Sequence, residues 1–264
     1  MSSSALVESL TARIGAWRGQ RLCVIGICGA QGSGKSTLVA GLVRRLVQSG
    51  VRVAALSLDD LYLKRAERQE MACDVHPLFA TRGVPGTHDV ALGLATIDAL
   101  ARGEAAPLPR FDKGRDDRVP ETEWPRSPEN TQVLLFEGWC IGASSQEPAA
   151  LAEPVNALER VEDSDGIWRG HANAALAGDY QALWERLDRL VLLAAPSWDV
   201  VATWREQQEA ELRQSSGDRV MSPAEVARFI QHYERLTRHI LATMPAYADL
   251  TVRLDEAREV LEIT

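Results

Sequence analysis

Gly29-Ala30-Gln31-Gly32-Ser33-Gly34-Lys35-Ser36 has the spacing G-x-x-x-x-G-K-[ST]. Glycines at these intervals let backbone N–H groups turn inward around an anion, and the turn opens onto a helix whose N-terminal partial charge attracts phosphate. Lys35 is placed to reach the β- and γ-phosphates of a nucleotide and Ser36 to ligate Mg²⁺, so Gly29 to Thr37 read as an ATP cradle. A plain glycine turn between a strand and a helix would account for the glycines alone. It would not account for Lys35, because a cation in a helix's first turn opposes the macrodipole by about 0.3–1 kcal/mol and needs an anion to offset that.

Two acidic stretches stand at the ends of apolar runs. Ligands of open parallel sheets bind beyond the carboxyl ends of the strands. Phe136-Glu137-Gly138 closes one run, where Glu137 can hold Mg²⁺ directly or through water; a solvated acid at a strand end is the plain alternative. Ser57-Leu58-Asp59-Asp60-Leu61-Tyr62 closes another. Transfer of a phosphoryl group to an alcohol needs an acceptor for the hydroxyl proton, and Asp59 is the candidate. Asp60 reads as a helix or turn cap, one of the two acids being structural.

The surrounding pattern supplies elements to position these groups. Leu6, Leu10, Ile14 and Trp17 form a helical stripe over 5–18. Residues 22–28 are a strand buried on both faces, followed by a helix over 35–48 with Gly50 as its C-cap and a second strand over 51–58. Further strands are predicted at 132–136, 189–195 and 249–254, and helices near 90–102, 197–214 and 223–243. Residues 61–130 form a charged, Gly- and Pro-rich excursion with one clear helix. Residues 141–187 read as mostly helical, with a polar, mobile stretch at 161–171. The fold class is therefore α/β: a doubly wound parallel sheet of the P-loop nucleoside triphosphate hydrolase, kinase type, with 1–264 forming one domain. The excursion at 61–130 is expected to bind substrate, and 141–187 and 197–243 to form a lid.

A net charge of −8 and a pI near 5.3 argue against nucleic acid as a partner. No run approaches eighteen apolar residues and the N-terminus lacks a signal-peptide pattern, so the expectation is a soluble, cytoplasmic protein that is a monomer or weak homodimer. Cys23, Cys28, Cys73 and Cys140 form no CxxC pair and read as buried, reduced thiols.

The cradle, the Leu56–Tyr62 segment, Phe136-Glu137-Gly138 and Pro109-Arg110-Phe111-Asp112 with Arg118 six residues on together resemble the phosphoribulokinase, uridine kinase and pantothenate kinase group. A closer resemblance is to the D-glycerate 3-kinase family. It is carried by Leu56–Leu63, Arg82–Asp89, Pro109–Arg118, Leu135–Trp139, Trp204–Glu209 and Tyr233–Arg238. The resemblance implies ATP, Mg²⁺ and a small acceptor, a hydroxy acid such as D-glycerate, phosphorylated on a terminal hydroxyl. It implies Asp59 as the base. Uridine kinase-like loops carry His two residues before the final Arg; Asp116 stands there in this chain, which argues against a nucleoside.

Acceptor-binding candidates are Asp59, Tyr62, Arg82, His88, Asp112 and Arg118, with Arg118 the first choice for a bidentate grip on a carboxylate. Thr87 or Asp89 can equally cap the helix at Val90, and the charges of 110–118 can equally be a solvated ion-pair loop. Arg205 and Arg213 lie on the expected lid, where one can clamp the transferred phosphate. Eight residues leave them about 80° apart on a helix, and Glu209, four from each, can pair with both. Other readings stay open: a sugar, nucleoside or pantothenate-like acceptor, or a nucleotide-hydrolysing switch, although N-K-x-D and L-S-G-G-Q signatures are lacking. Lys35→Ala is expected to lower turnover by several orders of magnitude with the fold intact. Steady-state kinetics beside a circular dichroism melt checks this, and near-normal activity would remove the cradle assignment.

Overall fold

The computed structural model describes the backbone of residues 3–215 and 221–264, with side chains at 4–210 and 221–264. α1 (Ser3–Trp17) buries Leu6, Leu10 and Ile14 as its stripe requires and packs on α2 (Lys35–Gln48). Between them β1 (Cys23–Gly29) is buried at every position, the result expected of an unbroken apolar run. α2 closes with Gly50 at φ 76, the Gly50 N–H donating to the Val47 carbonyl and the Val51 N–H to that of Leu46. β2 (Val53–Ser57) follows.

The excursion holds α3 (Arg65–Asp74), α4 (Val90–Ala101) and a short hairpin of β3 (Phe111–Asp112) and β4 (Asp117–Arg118). Then come β5 (Val133–Gly138), α5 (Ala157–Glu162), α6 (Ile167–Ala177), α7 (Asp179–Trp184) and β6 (Arg189–Ala194). The chain finishes with α8 (Trp198–Ser215), α9 (Pro223–Thr243), β7 (Leu250–Leu254) and β8 (Val260–Ile263). The main sheet has the order β2-β5-β1-β6-β7-β8, parallel throughout except for β8. It is an α/β P-loop fold, a mostly parallel sheet flanked by helices. β1 lies inside it with β5 on one side and β6 on the other, so the loop leaving β1 opens where the chain's path across the sheet reverses. No described helix is long and apolar enough to cross a membrane.

Four details depart from expectation. α3 was invisible as a helix because it has no apolar stripe. Its one buried side chain is Arg68, whose guanidinium donates to the carbonyls of Leu63, Ala80 and Asp116 at 2.8–3.2 Å and pairs with the Asp116 carboxylate at 2.9 Å. The 161–171 stretch is the end of α5, a short turn and the start of α6, held by a buried acid. Asp163, fully buried, accepts from the N–H groups of Trp168 and Arg169 at 2.7 and 3.2 Å and pairs with the Arg169 guanidinium at 2.8 Å. β8 was missed because it is a short edge strand with Leu261 facing solvent. Of the cysteines, Cys23, Cys28 and Cys140 are buried free thiols, Cys28 pushed up to about 12 by burial, but Cys73 on the polar α3 is exposed.

Asp163→Ala strands the Arg169 charge in the interior, and removing one partner of a buried pair costs about 3–5 kcal/mol. Urea denaturation is expected to show a loss of that size; a loss below about 1 kcal/mol would mean the turn is held by its apolar neighbours instead.

Candidate active site

The cradle is built at the end of β1. Gly32 and Gly34 sit at φ 74 and 86, conformations that a side chain would strain. Lys35 folds back over the loop, its Nζ donating to the Ala30 carbonyl at 3.0 Å. Ser33 Oγ is buried and meets no protein acceptor, an orphaned hydroxyl donor of the kind an anion satisfies. Parallel pairing sets Cys28 of β1 opposite Gly138 of β5, and Ser36 Oγ then donates to Glu137 Oε1 at 3.0 Å. A cleft of about 670 Å³ starts at this loop and extends to the end of β2.

At that far end Ser57 Oγ accepts from the Asp59 N–H at 3.3 Å and starts a single 3-10 turn over Leu58–Leu61. Leu58 and Leu61 are buried, so the turn directs Asp59 and Asp60 outward, and both border the cleft. Their partners differ. Asp59 Oδ1 accepts from the Tyr62 hydroxyl at 2.7 Å and Oδ2 from Lys113 Nζ at 2.6 Å. Burial pushes the Asp59 carboxyl up, but the Lys113 charge and the two hydrogen bonds outweigh it and hold the group below the usual carboxylate range. Asp60 accepts from the Phe111 N–H at 3.1 Å and from Arg110 at 3.3 Å, fastening the hairpin to the turn, and burial raises its carboxyl. Arg82 opens onto the same end, paired with Asp116 and lying 5.5 Å over the Phe111 ring.

The chain is similar to several known proteins. A family model for the methylmalonyl-CoA mutase-associated GTPase MeaB matches residues 1–61, the stretch of the chain that carries β1, the cradle, α2 and β2. The chain is 36% identical over 221 residues to the uncharacterized kinase mug58 of Schizosaccharomyces pombe, covering 80% of this chain and 78% of the relative. It is 32% identical over 254 residues to the chloroplastic D-glycerate 3-kinase of Arabidopsis thaliana, 89% of this chain but only 53% of that longer protein. The structure of D-glycerate 3-kinase from Cryptococcus neoformans superposes with a TM-score of 0.80 at 26% identity, over 99% of this chain and 97% of that one. The chain belongs to the D-glycerate 3-kinase-like family of P-loop kinases.

In this kinase several expected acceptor residues lie behind the cleft wall rather than on it. His88 is buried, its ring stacked on Tyr62 with centroids 4.8 Å apart and its Nδ1 2.5 Å from the Tyr180 hydroxyl. Burial drives its pKa to about 3, so it is a neutral support for Tyr62. Asp89 caps α4, accepting from the Leu92 N–H at 2.9 Å. Arg118 is spent on Asp89 and on the Tyr62 carbonyl, at 3.1 and 2.9 Å, and does not border the cleft. Asp112 accepts from the N–H groups of Gly114 and Arg115 and so shapes the hairpin turn. Asp89 and Asp112 are held by N–H groups two or three residues on, whereas His88 and Arg118 find hydrogen-bond partners 29 to 92 residues away, which sequence spacing does not reveal. Tyr62, Arg82 and Asp59 do border the cleft.

Arg205 faces the cleft from α8, pairing with Glu209 at 2.6 Å and lying 5.6 Å over Phe229. The Arg213 side chain falls outside the described residues. α8 presses on the cradle: a Cβ on Gly32 would sit 2.7 Å from that of Trp204. Two cleft residues escaped sequence reasoning. Lys113 is one charge among many in its loop, although its place directly after Phe111-Asp112 was a usable signal. Arg258, in the β7–β8 turn, donates to the Gly32 carbonyl at 2.6 Å and to Gln207 at 3.0 Å; nothing in the sequence announces it.

The geometry separates the two acids. Asp59→Asn is expected to lower kcat by at least about a hundredfold with little change in the KM for MgATP. Asp60→Asn is expected chiefly to lower the melting temperature. The reverse pattern would exchange their roles.

Proposed function

We propose that this kinase transfers the γ-phosphoryl group of ATP to the terminal hydroxyl of D-glycerate, giving 3-phosphoglycerate and ADP. The observation that carries the reading is a hydrogen-bonded carboxylate, Asp59, in the same cleft as a phosphate cradle and beside two basic side chains, Arg82 and Lys113. A cradle alone serves any nucleotide enzyme, whereas a base and a cation beside it suit an anionic alcohol. We read the whole chain as one unit, with 61–130 supplying the acceptor site and 141–187 and 197–243 the lid.

Gly29–Thr37 would bind the triphosphate through backbone N–H groups, with Ser33 Oγ giving its free hydrogen bond. Lys35 would lie against the β- and γ-phosphates, and Arg205 would meet the transferring group from α8. Ser36 and Glu137 present two hard oxygen donors 3.0 Å apart at the base of the cradle, a set that suits Mg²⁺. When bound, that ion neutralises charge on the β- and γ-oxygens. Asp59, aimed by Tyr62, would take the hydroxyl proton as the acceptor oxygen bonds to phosphorus and the bond to the β–γ bridging oxygen breaks.

ADP release from MgATP, followed by a coupled assay with D-glycerate, L-glycerate, ribulose 5-phosphate, uridine, pantothenate or no acceptor, tests this. Strong stimulation by D-glycerate alone, abolished by EDTA, is expected. Stimulation by another acceptor would keep the base and cradle but replace the substrate. Hydrolysis indifferent to every acceptor would favour a switch.

A further inference from the structure

The acceptor end of the cleft has an electrostatic difficulty that Lys113 is placed to resolve. A hydroxy acid that sets its hydroxyl on Asp59 brings its own carboxylate within a few ångströms of an ionised one, and like charges so close disfavour each other. A cation must serve the incoming anion. Three lie at this end. Arg82 is engaged by Asp116 and the Phe111 ring, and Arg110, set back from the cleft wall, by Asp60 and the Pro109 carbonyl at 2.7 Å; moving either gives up a contact that fastens the hairpin. Lys113 differs. Its side chain is 61% exposed on the hairpin turn, it borders the cleft, and its partner is Asp59 itself. A lysine carries a compact charge on a flexible four-carbon stem and can change partners without the hairpin moving. Its hold on Asp59 is also self-limiting: a carboxylate that gains a proton loses its attraction for an ammonium.

Resting on the hydroxy-acid reading above, we propose that Lys113 is a specificity-determining residue: its ammonium turns from Asp59 to the carboxylate of the acceptor. That exchange leaves the Asp59 carboxylate to accept the hydroxyl proton while the acceptor oxygen takes the γ-phosphoryl group and ADP departs. The preference for an acid over a neutral alcohol thereby comes from the same contact that governs the base.

The test compares wild type, K113M and K113R with D-glycerate and with glycerol, which has the hydroxyls but no carboxylate. Wild type is expected to favour D-glycerate strongly in kcat/KM. In K113M the KM for D-glycerate is expected to rise about ten- to hundredfold, the loss of one charge-assisted contact, with the KM for MgATP little changed and the preference over glycerol gone. K113R, which keeps the charge, is expected to recover part of that preference. A pH profile gives a readout that a merely structural lysine would not move. Asp59 also faces Asp60, Tyr62, His88 and Tyr233, all kept in K113M, so removing the ammonium alone lets its carboxyl rise. Because Asp59 acts ionised, the acid limb of kcat/KM is expected to shift to higher pH. An unchanged preference in K113M, or an equal loss with both acceptors, overturns the role of Lys113 while D-glycerate remains the substrate. A wild-type enzyme inert to D-glycerate overturns the acceptor reading and this proposal together.

Discussion

β1 and β5 lie side by side with Ile27 opposite Glu137 and Cys28 opposite Gly138, and the cleft depends on that register. Side chains alternate across a strand, so a slip of one residue would turn Glu137 to the other face of the sheet and away from Ser36. The register is held from both sides. Leu134, Leu135 and Phe136 are fully buried, and Gly138 allows the turn after β2 to close against it, since a Cβ there would stand 2.6 Å from that of Leu58. One glycine thus lets the Glu137 carboxylate and the Asp59 turn occupy neighbouring strand ends. The cradle, the Ser36–Glu137 contact and Asp59 are consequences of one parallel pairing, extended by β2 on β5 with Ser57 opposite Glu137.

Around this apolar frame the excursion is organised by charge. Arg68 threads α3 to three carbonyls, Asp116 holds both Arg68 and Arg82, and Asp60 ties the hairpin to the 3-10 turn. Asp116 adopts φ 56, a left-handed conformation that Asp tolerates better than most residues, and this bends the β3–β4 loop so that its carboxylate meets both guanidiniums. A site that binds a small polar molecule needs polar walls, yet polar walls fold only if their own groups are paired. Here most arginines and aspartates of 60–118 satisfy one another, and Lys113–Asp59 is the pair that opens to the cleft.

α8 meets the cradle through packing and a bridging side chain. Trp204 lies against Gly32, its indole N–H donates to the Glu256 carbonyl at 2.7 Å, and Arg258 stacks 5.0 Å over its ring while bonding Gly32 and Gln207. Movement of α8 is therefore felt at the glycine-rich loop after β1 and at the β7–β8 turn, 226 residues from Gly32 in the chain.

The cradle, the buried strands and the two acidic strand ends were legible in the sequence, because each rests on local chemistry or short-range periodicity. Glycines around a lysine bind an anion wherever they fold, and an unbroken apolar run has to be covered on both faces. Direction was not legible. Asp59 and Asp60 are adjacent and chemically alike, and only the burial of Leu58 and Leu61 with the approach of Lys113 and Phe111 distinguishes them. His88 and Arg118 carried the right chemistry, but partners brought from tens of residues away turned them inward, while Asp112 is taken up by the N–H groups of its own turn. α3 and the 161–171 turn are held by Arg68 and Asp163, buried charges that leave no hydrophobic period to read. The tertiary structure decided which charges are paired and which face the cleft, since electrostatic partnership is set by distance in space and the sequence records only distance along the chain.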